Sequence, residues 1–326
     1  MKTLFKRQAR VLAIGTVVIM VSASSFADIV GPLEPTPATI SPIATQAAML
    51  AATWAGQRAV SVGDNGTILL SDNHGASFQQ AQSVPVSSTL TGVSFTDDKH
   101  GWVVGHWGAI LATVDGGEQW QIQRLALTED RPLFAVHFFD IKQGLAVGLW
   151  SLVLTTQDGG KTWTEQKPNP MDKSLSDLNL LSLFPDIKGG VYATSERGRL
   201  LHSTDAGRSW DYLDTGYEGS LWCGRQLVDG TLLVGGQRGT MLRSEDDGKT
   251  WVRVPIGRKS SITSIDVSGR EVIAVGLDGL QMKSLDGGHT FTDIAAPNRE
   301  SLTAALATED GKWLLFSRHG IVHQVE

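Results

Sequence analysis

Cys223 is the only cysteine in 326 residues, so no disulfide can form within the chain and its stability must come from packing. Tyrosine is almost as scarce, present only as Tyr192, Tyr212 and Tyr217. The eight histidines are scattered, with no pair at the i, i+4 spacing by which a helix holds a metal, and no metal or cofactor is expected. Apolar runs long enough to span a bilayer are missing too. The best, from Val11 to Val21, is too short to cross durably and is followed by no stop-transfer pattern. Lys2, Lys6, Arg7 and Arg10 precede it, and Ser25-Phe26-Ala27 puts small residues where a signal peptidase reads. Residues 1–27 therefore read as a secretory signal peptide cleaved before Asp28. No cysteine follows the run, which excludes lipid attachment there, and Lys6-Arg7 is not a twin-arginine pair. The expected destination is the periplasm or another exported compartment, with the mature chain soluble. Positive charge is scarce as well. Losing those four cations takes the formal net charge from −6 to about −10, which disfavours nucleic acid and acidic membrane surfaces as partners.

Repetition is what the chain has in abundance. An octet of the form Ser/Thr-x-Asp/Asn-x-Gly-x-x-Trp/Phe recurs from Ser71, Thr113, Thr156, Ser203, Ser244 and Ser284, at intervals of roughly 40–47 residues. Its acidic or amide positions are Asn73, Asp115, Asp158, Asp205, Asp246 and Asp286. That side chain can accept hydrogen bonds from backbone N–H groups in a tight turn, and the glycine supplies a positive φ. The closing aromatic starts the next strand and buries a large apolar surface. The octet is a hairpin clip, a folding device before it is anything chemical.

Upstream of each clip an apolar run, two variable residues, usually a glycine, and a second alternating run spell strand, tight turn, strand. An earlier apolar stretch, such as Leu90–Phe95 or Leu133–Phe138, adds another strand. Each repeat is thus four strands, a to d, with the clip between c and d. Four short strands per repeat of this length make a propeller blade. Six clips give six blades, and Trp313–Gln324 is a seventh b–c pair that lacks its clip and outer strand. The expectation is an all-β, seven-bladed propeller over residues 47–326, with six blades and a cap as the alternative. The Pro-rich lead-in, residues 28–46, is expected to supply the missing strand near its middle and so remove an open edge.

The informative positions are the variable pairs of the b–c turns, which share one face of a propeller. Around the ring they are Asp64-Asn65, His106-Trp107, Leu149-Trp150, Glu196-Arg197, Gln237-Arg238, Leu277-Asp278 and Arg318-His319. Tryptophan is out of place in a turn that favours Gly, Asn and Asp. Trp107 and Trp150 on adjacent blades, followed by Arg197 and Arg238 on the next two, have the composition of a binding hot spot. The plainer reading folds both tryptophans back as caps on neighbouring blades. His106 and His319 stand in b–c loops and could meet over the channel, although a solvated loop histidine is the commoner case. Trp120, Trp163, Trp210 and Trp251 in the clips, with Trp102 and Trp313 in b-strands, read as core, and Cys223 as a buried, inert thiol.

The phrase FTDDKHGWVVGHWGAILATVDGGEQW from Phe95, partly repeated from Phe138, resembles the BNR-repeat family of photosystem II stability and assembly factors. The resemblance covers essentially the whole mature chain. It implies a seven-bladed propeller on the exported side of a membrane, acting as a non-enzymatic assembly factor for a membrane protein complex. For relatives from hosts without a photosystem it implies an envelope partner, such as a resistance-nodulation-division (RND) exporter. Related clips, called Asp boxes, also occur in sialidases, which leaves a glycoside hydrolase or a non-catalytic glycan- or small-ligand-binding propeller as alternatives. A sialidase site needs a tyrosine nucleophile beside a glutamate. Tyr217-Glu218 offers that pair only as sequence neighbours, which a strand would point to opposite faces.

Overall fold

The computed structural model describes residues 34–168, 172–294, 299–308 and 311–322. The expected signal peptide, its cleavage site and the first residues of the lead-in lie outside them. Residues Pro35–Glu326 form one compact unit, and no helix among the described residues is long and apolar enough to cross a membrane.

Among the described residues, seven antiparallel sheets make up the unit, each a meander whose strands pair in chain order. Six have four strands and the last has three. The inner strands are Met49–Ala55, Leu90–Phe95, Leu133–Phe138, Leu180–Pro185, Leu221–Gln226, Ile262–Ser268 and Leu302–Ala307. The b-strands are buried almost throughout because both faces are covered by neighbouring blades. Outer strands are short and exposed, down to Thr292–Asp293 in blade six.

Hydrophobic packing runs between blades. Val60, Val62 and Leu70 of blade one pack with Leu90, Val103 and Leu111 of blade two. Equivalent clusters fill each later seam. Trp102 of blade two stacks on Phe138 of blade three, ring centroids 3.5 Å apart and 6° from parallel. Its indole N–H donates to the carbonyl of Gly159, 3.2 Å away.

The clips work as the octet suggests, through a hub the octet did not reveal. In blade three the Thr156 hydroxyl donates to Asp158 Oδ1 at 2.9 Å and accepts the N–H of Gly160 at 2.9 Å. Asp158 in turn accepts the N–H and the hydroxyl of Thr162 at 2.9 and 2.7 Å. The same pattern centres on Ser203, Ser244 and Ser284. A leading serine or threonine, buried in each clip, thus joins both ends of the turn. The clip glycine also meets the blade before it. A Cβ on Gly75 would stand 2.1 Å from Leu314 Cδ2, and one on Gly288 would stand 2.7 Å from Leu233.

The closing strand expected from the lead-in is not seen among the described residues. Blade seven has three strands there, and residues 35–43 contain none. This stretch lies along the outside of blade one instead. The Ala38 N–H donates to the Val84 carbonyl at 2.9 Å, and Ser41 N–H to Gln80 Oε1 at 2.9 Å. Four prolines deprive the lead-in of N–H donors and suit it to such a strap. Blades seven and one meet as the others do. Met49, Ala59 and Leu69 pack with Ala304, Leu306 and Phe316, and the Thr303 hydroxyl donates to the Met49 carbonyl at 2.5 Å.

Two outcomes test this account. Trp102→Ala, which empties a seam, should cost about 3–5 kcal/mol in urea unfolding. The clip carboxylates Asp158 and Asp246 are drawn from 3.8 to about 2 by threonine hydroxyl and N–H donors. A depressed folded pKa gives stability that is complete above the unfolded value and lost as pH falls through the folded one. The melting temperature should therefore be nearly flat down to about pH 5 and fall between about pH 4 and 2. A steep loss near pH 6 would contradict it.

Candidate functional site

The b–c turns line one face of the ring, opposite the clips and a–b turns. Clip and a–b turn are tied together in blades two, three and six, as by Gly116 N–H to the Lys99 carbonyl at 3.0 Å. In blades one to six the tip of the b–c turn sits one residue beyond the variable pair read from the repeats. In blade two the Ala109 N–H donates back to the His106 carbonyl at 3.2 Å, so the tip is Trp107-Gly108, one residue beyond the pair read from the repeats. Both tip residues have positive φ, 58° and 54°, a type I′ turn whose twist suits the flanking strands.

Every tip in blades one to six follows this rule. The first tip residue is Asn65, Trp107, Trp150, Arg197, Arg238 or Asp278, with φ between 53° and 58°. Asn and Asp suit that conformation, whereas bulky side chains in it cost about 1–2 kcal/mol each. Blade three is strained twice, since Ser151 takes the place of the usual glycine at φ 53°. The neighbouring blade holds the tips in place. The Trp107 N–H donates to Asp130 Oδ1 at 2.9 Å and the Trp150 N–H to Asn179 Oδ1 at 3.0 Å. Ser261 and Ser301 receive the N–H groups of Arg238 and Asp278 in the same way.

The four residues singled out from the sequence thus stand at equivalent points on consecutive blades. Trp150 is 57% exposed, and Arg197 and Arg238 are exposed, whereas Trp107 is half-buried. One Arg197 guanidinium N–H donates to the Ser174 carbonyl at 2.9 Å. Arg318 and His319 are also exposed on this face. His106 and His319 do not meet. They belong to blades two and seven with blade one between them, and His319 Nδ1 is 2.9 Å from Glu300 Oε1.

A second feature of this face escaped the sequence reading. Every inner strand carries a β-bulge at its second residue: Leu50, Thr91, Phe134, Leu181, Trp222, Thr263 and Thr303. A bulge re-aims a side chain, and all seven line the central channel, a cavity of about 480 Å³. The threonines spend their hydroxyls on the next blade, as Thr91 does to the Leu133 carbonyl at 2.6 Å. Phe134, Leu181 and Trp222, on blades three to five, leave an apolar arc. The signal was present in Leu133-Phe134, Leu180-Leu181 and Leu221-Trp222, where two large side chains in succession break strand alternation.

The tyrosines are engaged elsewhere. Tyr192 is buried and stacks on Phe184 and His202. Burial pushes the Tyr212 hydroxyl up to about 12. The Tyr217 hydroxyl donates to the Gln237 carbonyl at 3.2 Å. None is set up as a phenolate nucleophile. No group of three or more metal-ligating side chains is found among the described residues. Cys223 is buried in its inner strand, and burial pushes its thiol up to about 12.

The sequence model of the family described as photosynthesis system II assembly factor YCF48 matches residues 78–165 and 127–218. The photosystem II assembly lipoprotein Ycf48 of Nostoc sp. is 42% identical over 53 residues, which is 16% of this chain and 16% of that protein. Among solved structures, YCF48 bound to a D1 peptide aligns with a TM-score of 0.70 at 20% identity, over 90% of this chain and 94% of that one. YCF48 from Cyanidioschyzon merolae aligns with a TM-score of 0.68 at 16% identity, over 87% of this chain and 97% of that one. At such identities the structures speak for the fold, and the matched repeats show a likeness to that family over residues 78–218. The chain is a seven-bladed β-propeller whose repeats, over residues 78–218, are similar to those of the photosystem II assembly factor family.

Proposed function

We propose that this propeller is a non-catalytic scaffold that holds an exposed segment of a membrane protein while its complex assembles, and that the b–c rim is the holding surface. One observation carries the reading. Trp107, Trp150, Arg197 and Arg238 occupy left-handed tip positions where Asn, Asp or Gly would fold more easily. Residues that cost stability without filling the core point to use at the surface. Large aromatics beside arginines are the side chains that dominate binding energy. The YCF48 structure with a D1 peptide bound supports a peptide segment as the kind of client. In this reading the protein works on the exported side after cleavage before Asp28. Its client is a subunit of photosystem II or of an envelope complex such as an RND-type exporter.

Capture from solubilised membranes with the purified chain as bait tests the proposal, and mass spectrometry of the captured proteins separates the two clients. The triple variant Trp107→Ala, Trp150→Ala, Arg197→Ala, folded by circular dichroism, should recover at least about tenfold less client, as expected when hot-spot side chains are removed. Equal recovery would remove the rim from the reading. The strain makes a second, opposite prediction. Trp150→Asn should raise stability by about 0.5–1 kcal/mol while weakening capture. A loss of stability would show that Trp150 is a packing residue.

A further inference from the structure

The central channel is almost free of charge. Seven inner strands line it, and among the described lining residues Arg225 alone carries a formal charge. Its guanidinium is used on one side only. Arg225 Nε donates to Asp266 Oδ1 at 3.2 Å, while Asp266 Oδ2 accepts the Ala307 N–H at 2.8 Å. Asp266 is itself buried, so this pairing fixes the arginine against the wall between blades five and six. The two terminal nitrogens have no protein partner among the described residues, and the side chain is one-third exposed, 33%, toward the cavity. A purely structural tether would use the guanidinium fork bidentately on the carboxylate. Here the fork is left open.

His137 of blade three lines the same channel near the same end. Burial, with the charge of Arg225 as a lesser cause, lowers its pKa to about 4, so the ring is neutral at pH 7 and can donate one hydrogen bond without adding charge. Three residues along the strand from Arg225, toward the b–c mouth, stands Trp222, flanked on blades three and four by Phe134 and Leu181. At a strand rise of about 3.3 Å per residue the arginine and the apolar arc are about 10 Å apart. The wall between them carries small or apolar side chains such as Ala135, Leu183 and Ile265.

We infer that the channel is a binding site for an organic carboxylate with an apolar body, the carboxylate on the open fork of Arg225 and the body along the wall toward Phe134, Leu181 and Trp222. A free small acid and the carboxyl end of a polypeptide share this chemistry. The site does not depend on the b–c rim. A ligand of about 10 Å suits it, the length of an aromatic acid or of three extended residues.

Calorimetric titration of the full purified chain tests the site with two probes, 3-phenylpropanoate and an acetylated Ala-Leu-Phe tripeptide with a free carboxyl end. Each is paired with its uncharged amide. Binding of either acid, with its amide about tenfold to a hundredfold weaker, is expected for one charge-assisted pair. If only phenylpropanoate binds, the ligand is a free acid, and if the tripeptide binds more tightly, it is a chain end. Arg225→Gln should show the same loss. It also leaves Asp266 buried and unpaired, so the double variant Arg225→Gln, Asp266→Asn serves as the folded control and should bind no better. Arg253→Gln, on the exposed outer strand of blade five, should leave the titration unchanged. Absence of binding by both acids, equal binding of acids and amides, or undiminished binding in the folded double variant overturns the site.

Discussion

Close approach between one blade's clip and the body of the blade before it is the contact on which this ring depends. At Gly75 and Gly288 there is no room for even one methyl group, because leucines of the preceding blade occupy the space. The same glycines have φ of 86° and 80°, so a side chain is excluded by both torsion and volume. The buried serine or threonine hydroxyl then satisfies the glycine N–H, which faces away from water and would otherwise lack a partner. Torsion, volume and hydrogen bonding agree at these residues, and the torsion and the hydrogen bond recur in all six clips.

The architecture was legible because it is repetitive. Four strands per unit, the clip between c and d, and seven units followed from period and turn chemistry alone. Two features stand differently among the described residues, each for a physical reason. The lead-in looked like a closing strand because an edge needed covering, but its prolines suit it to a strap beside Val84 and Gln80. The b–c tip was placed one residue early because His106 and Leu149 vary as freely as the true tip residues. Only the backbone shows that their carbonyls close the turn.

The rim was half legible. Trp107 and Trp150 stood out as wrong for a turn, and the structure gives that impression a torsion angle. The channel left only a faint trace, the break in strand alternation at Leu133-Phe134, Leu180-Leu181 and Leu221-Trp222. Arg225 and Asp266 are 41 residues apart, and nothing local to either marks them as partners. Phe134, Leu181 and Trp222 are brought to the channel by bulges that only the strand register reveals. Contacts made across a ring leave no mark in any single repeat.

The anchoring of four tips by side chains from the adjacent blade has an evolutionary consequence. Asp130, Asn179, Ser261 and Ser301 hold the tip backbone by its amide, so the turn keeps its shape whatever residue it presents. A new specificity can then arise one substitution at a time, at addresses spaced evenly round a circle, without renegotiating the interior. Descendants of one such wheel could serve unrelated hosts while remaining almost superimposable.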